Sequence, residues 1–331
     1  MNNRKKQLFI FSPLALLVLF GWTFYMHSTA SWDLFRDNWF MTAVMVFGSF
    51  IAGASSEGGG AIAYPAMTLL FNIEPDVARN FSFAIQSIGM TFASIWIVIS
   101  RIKIEINYLF LAGIGGFIGI VLGSFFIAPL IKPDFAKMMF VSFWLSFGIA
   151  LWVVNFVNSR KSREKLPELS DYQKGELLIV GIIGGIFSSV LGNGLDICTF
   201  SFVVIKYGLS EKIATPTSVI LMASNAIVGF ILHTFFLDTM QTEAINYWLV
   251  CIPVVIFGAP LGAFVINQIG RKKIALLLII IIITQFFTAL YVIRPGLQLA
   301  LFSLLIFVTG IILFFVLTKS NHEQMNSKVI K

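Results

Sequence analysis

The chain has 331 residues, of which 58% are hydrophobic and 15% aromatic, and only 12% are charged, against about 25% in an ordinary soluble domain. A water-soluble single domain is excluded, because at roughly 20 residues per membrane-crossing helix this apolar content fills about eight or nine spans. The net charge of +7 does not indicate nucleic acid, since the positive residues sit in short clusters between apolar blocks and form no basic stripe interleaved with aromatics.

The chain opens with Arg4-Lys5-Lys6 and an apolar run over residues 8–26. The run is longer than the roughly 7–15 residues of a signal peptide, so a retained first helix is favoured over a leader cleaved near Ser28 and Ala30. Further apolar blocks cover 39–72, 80–100, 107–131, 134–157, 176–207, 212–235, 246–268, 271–292 and 297–318, and the only sizeable polar interval is 158–174. Cys198 and Cys251 lie inside these blocks at no metal-ligand spacing, so neither a disulfide framework, a metal site nor a cofactor is expected. Blocks 39–72 and 176–207 are too long for one span and are broken by Ser55-Ser56-Glu57-Gly58-Gly59-Gly60 and by Gly192-Asn193-Gly194-Leu195-Asp196. Each side of a break holds about 15 apolar residues, which cover about 22 Å of a ~30 Å hydrocarbon core.

Charge asymmetry decides the threading, because cytoplasmic loops collect Lys and Arg. If both broken blocks enter and leave on one side, 18 of the 23 positive residues fall inside, and Arg36, Arg79, Lys132, Lys137 and Arg294 fall outside. If they cross instead, the positive charge splits almost evenly. The expected fold is therefore an all-α polytopic membrane protein with eight full spans, two re-entrant hairpins and both termini cytoplasmic. Its parts are an N-terminal helix and outer loop (1–38), a first membrane repeat (39–157), a cytoplasmic linker (158–175), a second repeat (176–293), and a C-terminal helix with a tail (294–331).

The repeat is visible at an offset of 136 residues, which sets Gly48 on Gly184, Gly58 on Gly194, Ala78 on Ala214 and Ser82 on Ser218. Each copy is a hairpin plus three spans, an odd number of crossings, so the second copy is inverted. Inverted repeats of this kind build secondary transporters whose substrate sits near the midplane at discontinuous helices.

Glycines at a break let the chain reverse and leave backbone N–H groups at the start of the returning half-helix, where an anion is favoured. Gly58, Gly59, Gly60, Asn193 and Gly194 are candidate substrate contacts on this ground. Gly119, Gly123, Gly258 and Gly262 are read as close-packing positions. Glu57 and Asp196 are the acidic side chains well inside the apolar blocks, and each is either a proton carrier or an acidic cap on its half-helix. Asn80, Gln86, Thr217 and Ser218 follow the breaks at related places and are read as lining a cavity, although Ser and Thr also bond their own helix backbone. Arg79 is either an anion screen at the outer mouth or an interfacial anchor, and His233 is read as a packed histidine.

These elements resemble the sulfite exporter TauE/SafE family over about residues 40–318. The resemblance rests on Gly58-Gly59-Gly60, Pro65 and Ala78-Arg79-Asn80-Phe81-Ser82, and on Gly192-Asn193-Gly194 followed by Ala214-Thr215-Pro216-Thr217-Ser218. It implies export of small sulfur-containing anions across the cytoplasmic membrane of prokaryotes. The family commonly has glycines where this chain has Asn193, Leu195 and Asp196, and threonine where it has Phe81, so the two half-sites are expected to be unequal.

The reading is a secondary carrier of a small anion, with the lipid bilayer and protons as further partners and with oligomeric state left open, a homo-oligomer included. No Walker loop is present for ATP. An intramembrane hydrolase using a serine and His233 lacks a Gly-x-Ser-x-Gly element. A channel or a non-transporting subunit differs from a carrier in whether flux saturates and counter-flows.

Overall fold

The computed structural model describes residues 3–55, 58, 60–157 and 162–326; Ser56, Glu57 and Gly59 lie outside the described residues. All regular elements among them are helices: α1 (Asn3–Ser28), α2 (Leu34–Ala54), α3 (Gly60–Pro65, extended by a wider turn over Ala66–Leu70), α4 (Pro75–Ile99), α5 (Ile106–Leu122), α6 (Pro133–Trp152), α7 (Asp171–Leu191), α8 (Leu195–Lys206), α9 (Glu211–Ile231), α10 (Thr242–Gln268), α11 (Arg271–Ile293) and α12 (Leu297–Asn326). Nine helices among the described residues are long and apolar enough to cross a membrane. The protein is a multi-pass membrane protein.

Eight of the nine coincide with the expected full spans, and the ninth is α7, the first arm of the second hairpin. The two hairpins are α2–α3 and α7–α8, and their arms are unequal. The entering arms α2 and α7 have 21 residues each, about 31 Å of helix. Part of that length is polar: α7 begins with Asp171–Gly175, ahead of its apolar run, and is started by a capping box between Ser170 and Gln173. The returning arms are short, Gly60–Leu70 in the first hairpin and Leu195–Lys206 in the second.

Packing between the halves is reciprocal. Helix α2 lies on α10 and α7 lies on α5, while α4 packs on α9 and each of those two also meets the other half's fourth helix, α10 or α5. The small residues sit at these contacts: a Cβ on Gly119 would strike the Ile182 backbone, and one on Gly262 the Phe50 backbone. Gly123 and Gly258 likewise face Ser189 and Ser49.

The outer helices flank this core. Trp22 Nε1 of α1 donates to Leu249 O at 2.8 Å, and Phe11 sets its edge on Phe92 and Trp96. On the other side α12 packs on α6 through Phe143 and Phe314, 5.3 Å apart. The linker is tied under the second hairpin: Arg163 N donates to Gly208 O and Ser210 N to Arg163 O, both at 2.8 Å. Leu166 N donates to a carboxylate oxygen of Glu105, which is itself buried.

Candidate functional site

The tips of both hairpins meet on α4. Gly192 ends α7 in the left-handed conformation (φ 79°) and fits so closely that a Cβ there would lie 2.6 Å from Ser82 Cβ and 2.7 Å from Arg79 O. Gly58 is also left-handed (φ 67°); a Cβ on it would strike Gln86 Oε1 and lie 3.2 Å from Asp196 Oδ2. Gln86 thus stands between the tips. Its amide nitrogen donates to Ser82 O and Gly192 O, both at 2.9 Å, which orients Oε1 toward Gly58.

Asp196 is fully buried in the first turn of α8. Its Oδ1 accepts from Gly194 N at 3.3 Å, and backbone N–H groups of Asp196 and Ile197 also turn to its carboxylate. Leu195 N is taken by Ser188 Oγ at 2.9 Å. The half-helix N-terminus is therefore capped from within the hairpin. Asp196 Oδ2 and Gln86 Oε1 are buried with no hydrogen-bond partner among the described residues. Both acceptors face Gly58, and among the described residues neither meets a donor, so each can take a proton or another donor.

Asn80 and Thr217, one position apart in the repeat register, stand at opposite ends of the α4–α9 pair. Asn80 Nδ2 donates to Thr239 O and Gln241 Oε1 in the loop after α9, both at 2.7 Å, and Arg79 Nε donates to Asn80 Oδ1 at 3.2 Å. Thr217 Oγ1 accepts from Glu105 N, in the loop after α4, at 3.0 Å. Each helix of the crossing pair thus holds the loop that follows the other. Ser218 Oγ donates to Thr215 O in its own helix, as hydroxyls in helices commonly do. Asn193 is buried and faces a cavity between α3, α6 and α11. Glu57 and Gly59 fall outside the described residues, and Gly60 begins α3.

His233 packs at the far end of α9, stacked on Phe83 with ring centres 5.4 Å apart. Its Nδ1 pairs with Thr239 Oγ1 at 2.7 Å and its Nε2 with Ser124 Oγ at 3.4 Å. A serine does lie beside the histidine, but a hydroxyl occupies the place where a hydrolytic triad has its carboxylate. No cluster of His, Cys, Asp or Glu among the described residues has the geometry of a metal site, and Cys198 and Cys251 are separate buried thiols.

Some buried polar groups escaped the sequence reading. Glu211 is fully buried at the start of α9 and accepts from Asn155 Nδ2 at 2.9 Å. Tyr108 and Thr199 share a hydrogen bond of 2.9 Å between α5 and α8. Their signal was weak because Glu211 lies at a block edge, where solvent is the ordinary expectation, and because tyrosine in an apolar run reads as packing.

A profile of the family described as Sulfite exporter TauE/SafE matches residues 40–292. No curated protein and no solved structure matches the chain.

Proposed function

Because this chain belongs to the sulfite exporter TauE/SafE family of membrane transporters, we propose that it is a secondary carrier that exports a small anion, such as sulfite or an organosulfonate, by alternating access. The observation that carries this reading is the meeting of the two hairpin tips at Gln86, beside the buried Asp196. The reciprocal packing of the halves and the crossed holds at Asn80 and Thr217 support an inverted repeat, the construction that makes rocking between two access states mechanically natural.

In this reading Asp196 and the anion compete for one set of donors. An ionised Asp196 occupies the N–H groups at the start of α8 and repels an anion by about 4 kcal/mol at 4 Å with an effective dielectric near 20. A neutral Asp196 gives its proton to Gln86 Oε1 as a hydrogen bond and releases Gly194 N–H. The anion then takes that donor together with the Asn193 side chain and backbone N–H groups of Gly58, Gly59 and Gly60. Glu57 is the matching proton-carrier candidate on the first hairpin. Asn80 serves one approach to this point, and Thr217 and Ser218 the other.

The positive-inside distribution supports cytoplasmic termini in a prokaryotic inner membrane. An inside-negative potential of 100 mV favours exit of each net negative charge by about 2.3 kcal/mol. Export that carries net negative charge then needs no ATP, whereas a monoanion leaving together with the Asp196 proton gains nothing from the potential.

Proteoliposome flux with sulfite, thiosulfate, sulfonates and carboxylates, with and without a pH gradient, tests the proposal. Saturable flux with counterflow is expected, and Asp196→Asn is expected to remove most of its pH dependence. Unaltered pH profiles in both Asp196→Asn and Glu57→Gln would remove the proton-carrier role. Non-saturating flux without counterflow would make the protein a channel, and failure of every anion to move would sink the substrate class.

A further inference from the structure

The repeat register makes two seams equivalent, α4–α10 and α9–α5, and one of them is covered. An offset of 136 sets α9 on α4; with three residues inserted, an offset of 139 sets α5 on α10, Gly119 on Gly258 and Gly123 on Gly262. Helix α1 covers the α4–α10 seam, where Phe11, Ala15 and Trp22 cluster with Phe92, Leu249 and Ile256. It also satisfies a polar group there. Pro253 has no N–H to give the Leu249 carbonyl four residues back, and Trp22 Nε1 supplies the donor.

The equivalent seam is bare. Phe110 and Phe117 of α5 are 65% and 56% exposed, whereas their counterparts under α1, Leu249 and Ile256, are 6% and 0% exposed. With Gly113, Ser224, Asn225 and Val228 they line an open groove between α5 and α9. Packing within the chain does not require Gly113: a Cβ there would make an ordinary 3.5 Å contact with Leu221, whereas one on Gly115, Gly116 or Gly119 would clash. Its counterpart under α1 is Ile252. Asn225 is buried, and neither of its amide atoms has a hydrogen-bond partner among the described residues. It stands about 21 Å into a span about 39 Å long, where an unpaired amide is costly. Each seam thus carries a polar group that its own two helices leave unsatisfied.

We infer that the α5–α9 seam is the interface through which two copies of this chain associate, with Asn225 hydrogen-bonded to Asn225 of the partner subunit in the notch at Gly113. A membrane-spanning helix is what covers the equivalent seam, and no further helix of the described residues lies on this one. A lipid chain would fill the groove but offers an amide nothing. A second copy related by a two-fold axis along the membrane normal keeps every residue at its depth, so the two Asn225 side chains meet at one level. A carboxamide both donates and accepts, which makes the pair self-complementary. In the single chain both amide atoms are covered, and association turns them into the groove. The inference rests on the repeat register and is independent of what the protein carries.

Cross-linking of the full chain in native-like membranes tests the interface. Ser224→Cys, on the groove, is expected to give a disulfide-linked dimer under copper phenanthroline, and Leu305→Cys, exposed on α12, is not. The chain without an added cysteine is the control, since Cys198 and Cys251 are buried. Single-molecule photobleaching in liposomes over a range of protein-to-lipid ratios measures the association. Asn225→Leu and Gly113→Leu are each expected to weaken it roughly tenfold, and Asn225→Gln less. Asn225→Leu removes an unpaired amide, so the single chain is expected to fold as well as before. Association unchanged in both leucine variants, single-step bleaching at every density, or cross-linking at Leu305→Cys but not at Ser224→Cys overturns the inference. A monomer that retains a phospholipid or a different membrane protein on this seam, seen by native mass spectrometry, likewise overturns the second copy. None of these readouts depends on transport, so failure of every anion to move leaves the interface standing.

Discussion

The two hairpins share a construction and differ in how they are fastened. Hairpin α7–α8 is held along its whole length: Gly192 is seated on α4, Asp196 caps its own half-helix, and at the base Lys206 contacts Glu176 while Tyr207 OH donates to Glu176 Oε2 at 3.1 Å. Hairpin α2–α3 returns through six residues of regular helix and then a wider turn, and its described tip residue, Gly58, meets side-chain oxygens rather than backbone. One tip is built into the scaffold, and the other faces functional groups. A repeat can therefore keep its fold while its halves take different chemical duties.

Substitution of the two tip glycines measures that difference. Gly192→Ala places a methyl group against the Arg79 carbonyl and Ser82 Cβ at a left-handed residue, which combines backbone strain with overpacking. A loss of roughly 2–5 kcal/mol is expected, seen as a large fall in thermal unfolding temperature in detergent. Gly58→Ala pays the same left-handed penalty and presses on a buried glutamine amide held by two hydrogen bonds, but on no backbone, so a smaller stability loss of about 1–3 kcal/mol is expected. Transport should fall far more than stability in Gly58→Ala, because the methyl group fills the space between Gln86 Oε1 and Asp196 Oδ2. Equal stability losses at the two glycines would show that both tips are scaffold.

The membrane class, the two broken blocks and the family were legible in the sequence because glycine breaks and charge asymmetry are local signals that survive without an alignment. The small-residue contacts at Gly119, Gly123, Gly258 and Gly262 were legible for the same reason, since small-xxx-small spacing implies close backbone approach. The convergence of Gln86 Oε1 and Asp196 Oδ2 on Gly58 was not, because it joins residues 110 positions apart and depends on which amide atom faces the turn. Arm lengths were also hidden, since a helix such as α7 continues past its apolar run into polar residues when a cap starts it early. Lys137 looked like one outer charge among five, and only the fold turns its ammonium inward.

The smallest effect is expected where the loop after α4 meets the linker. Lys103 Nζ donates to Glu164 at 2.6 Å with both side chains more than 70% exposed, and this hydrogen bond holds the Glu164 carboxyl below the usual carboxylate range. A carboxyl lowered by folding stabilises the native state above its unfolded pKa, and that contribution disappears as the pH falls through the folded value. Lys103→Ala is therefore expected to lower the unfolding temperature only marginally at neutral pH and not at all once Glu164 is protonated, with flux unchanged. The reason is that the linker is held by main-chain bonds between Arg163 and both Gly208 and Ser210, which the substitution leaves in place. If Lys103→Ala instead lowered flux at neutral pH, the surface pair would be part of how the second hairpin is fastened, and the scaffold role would extend from its tip to the linker.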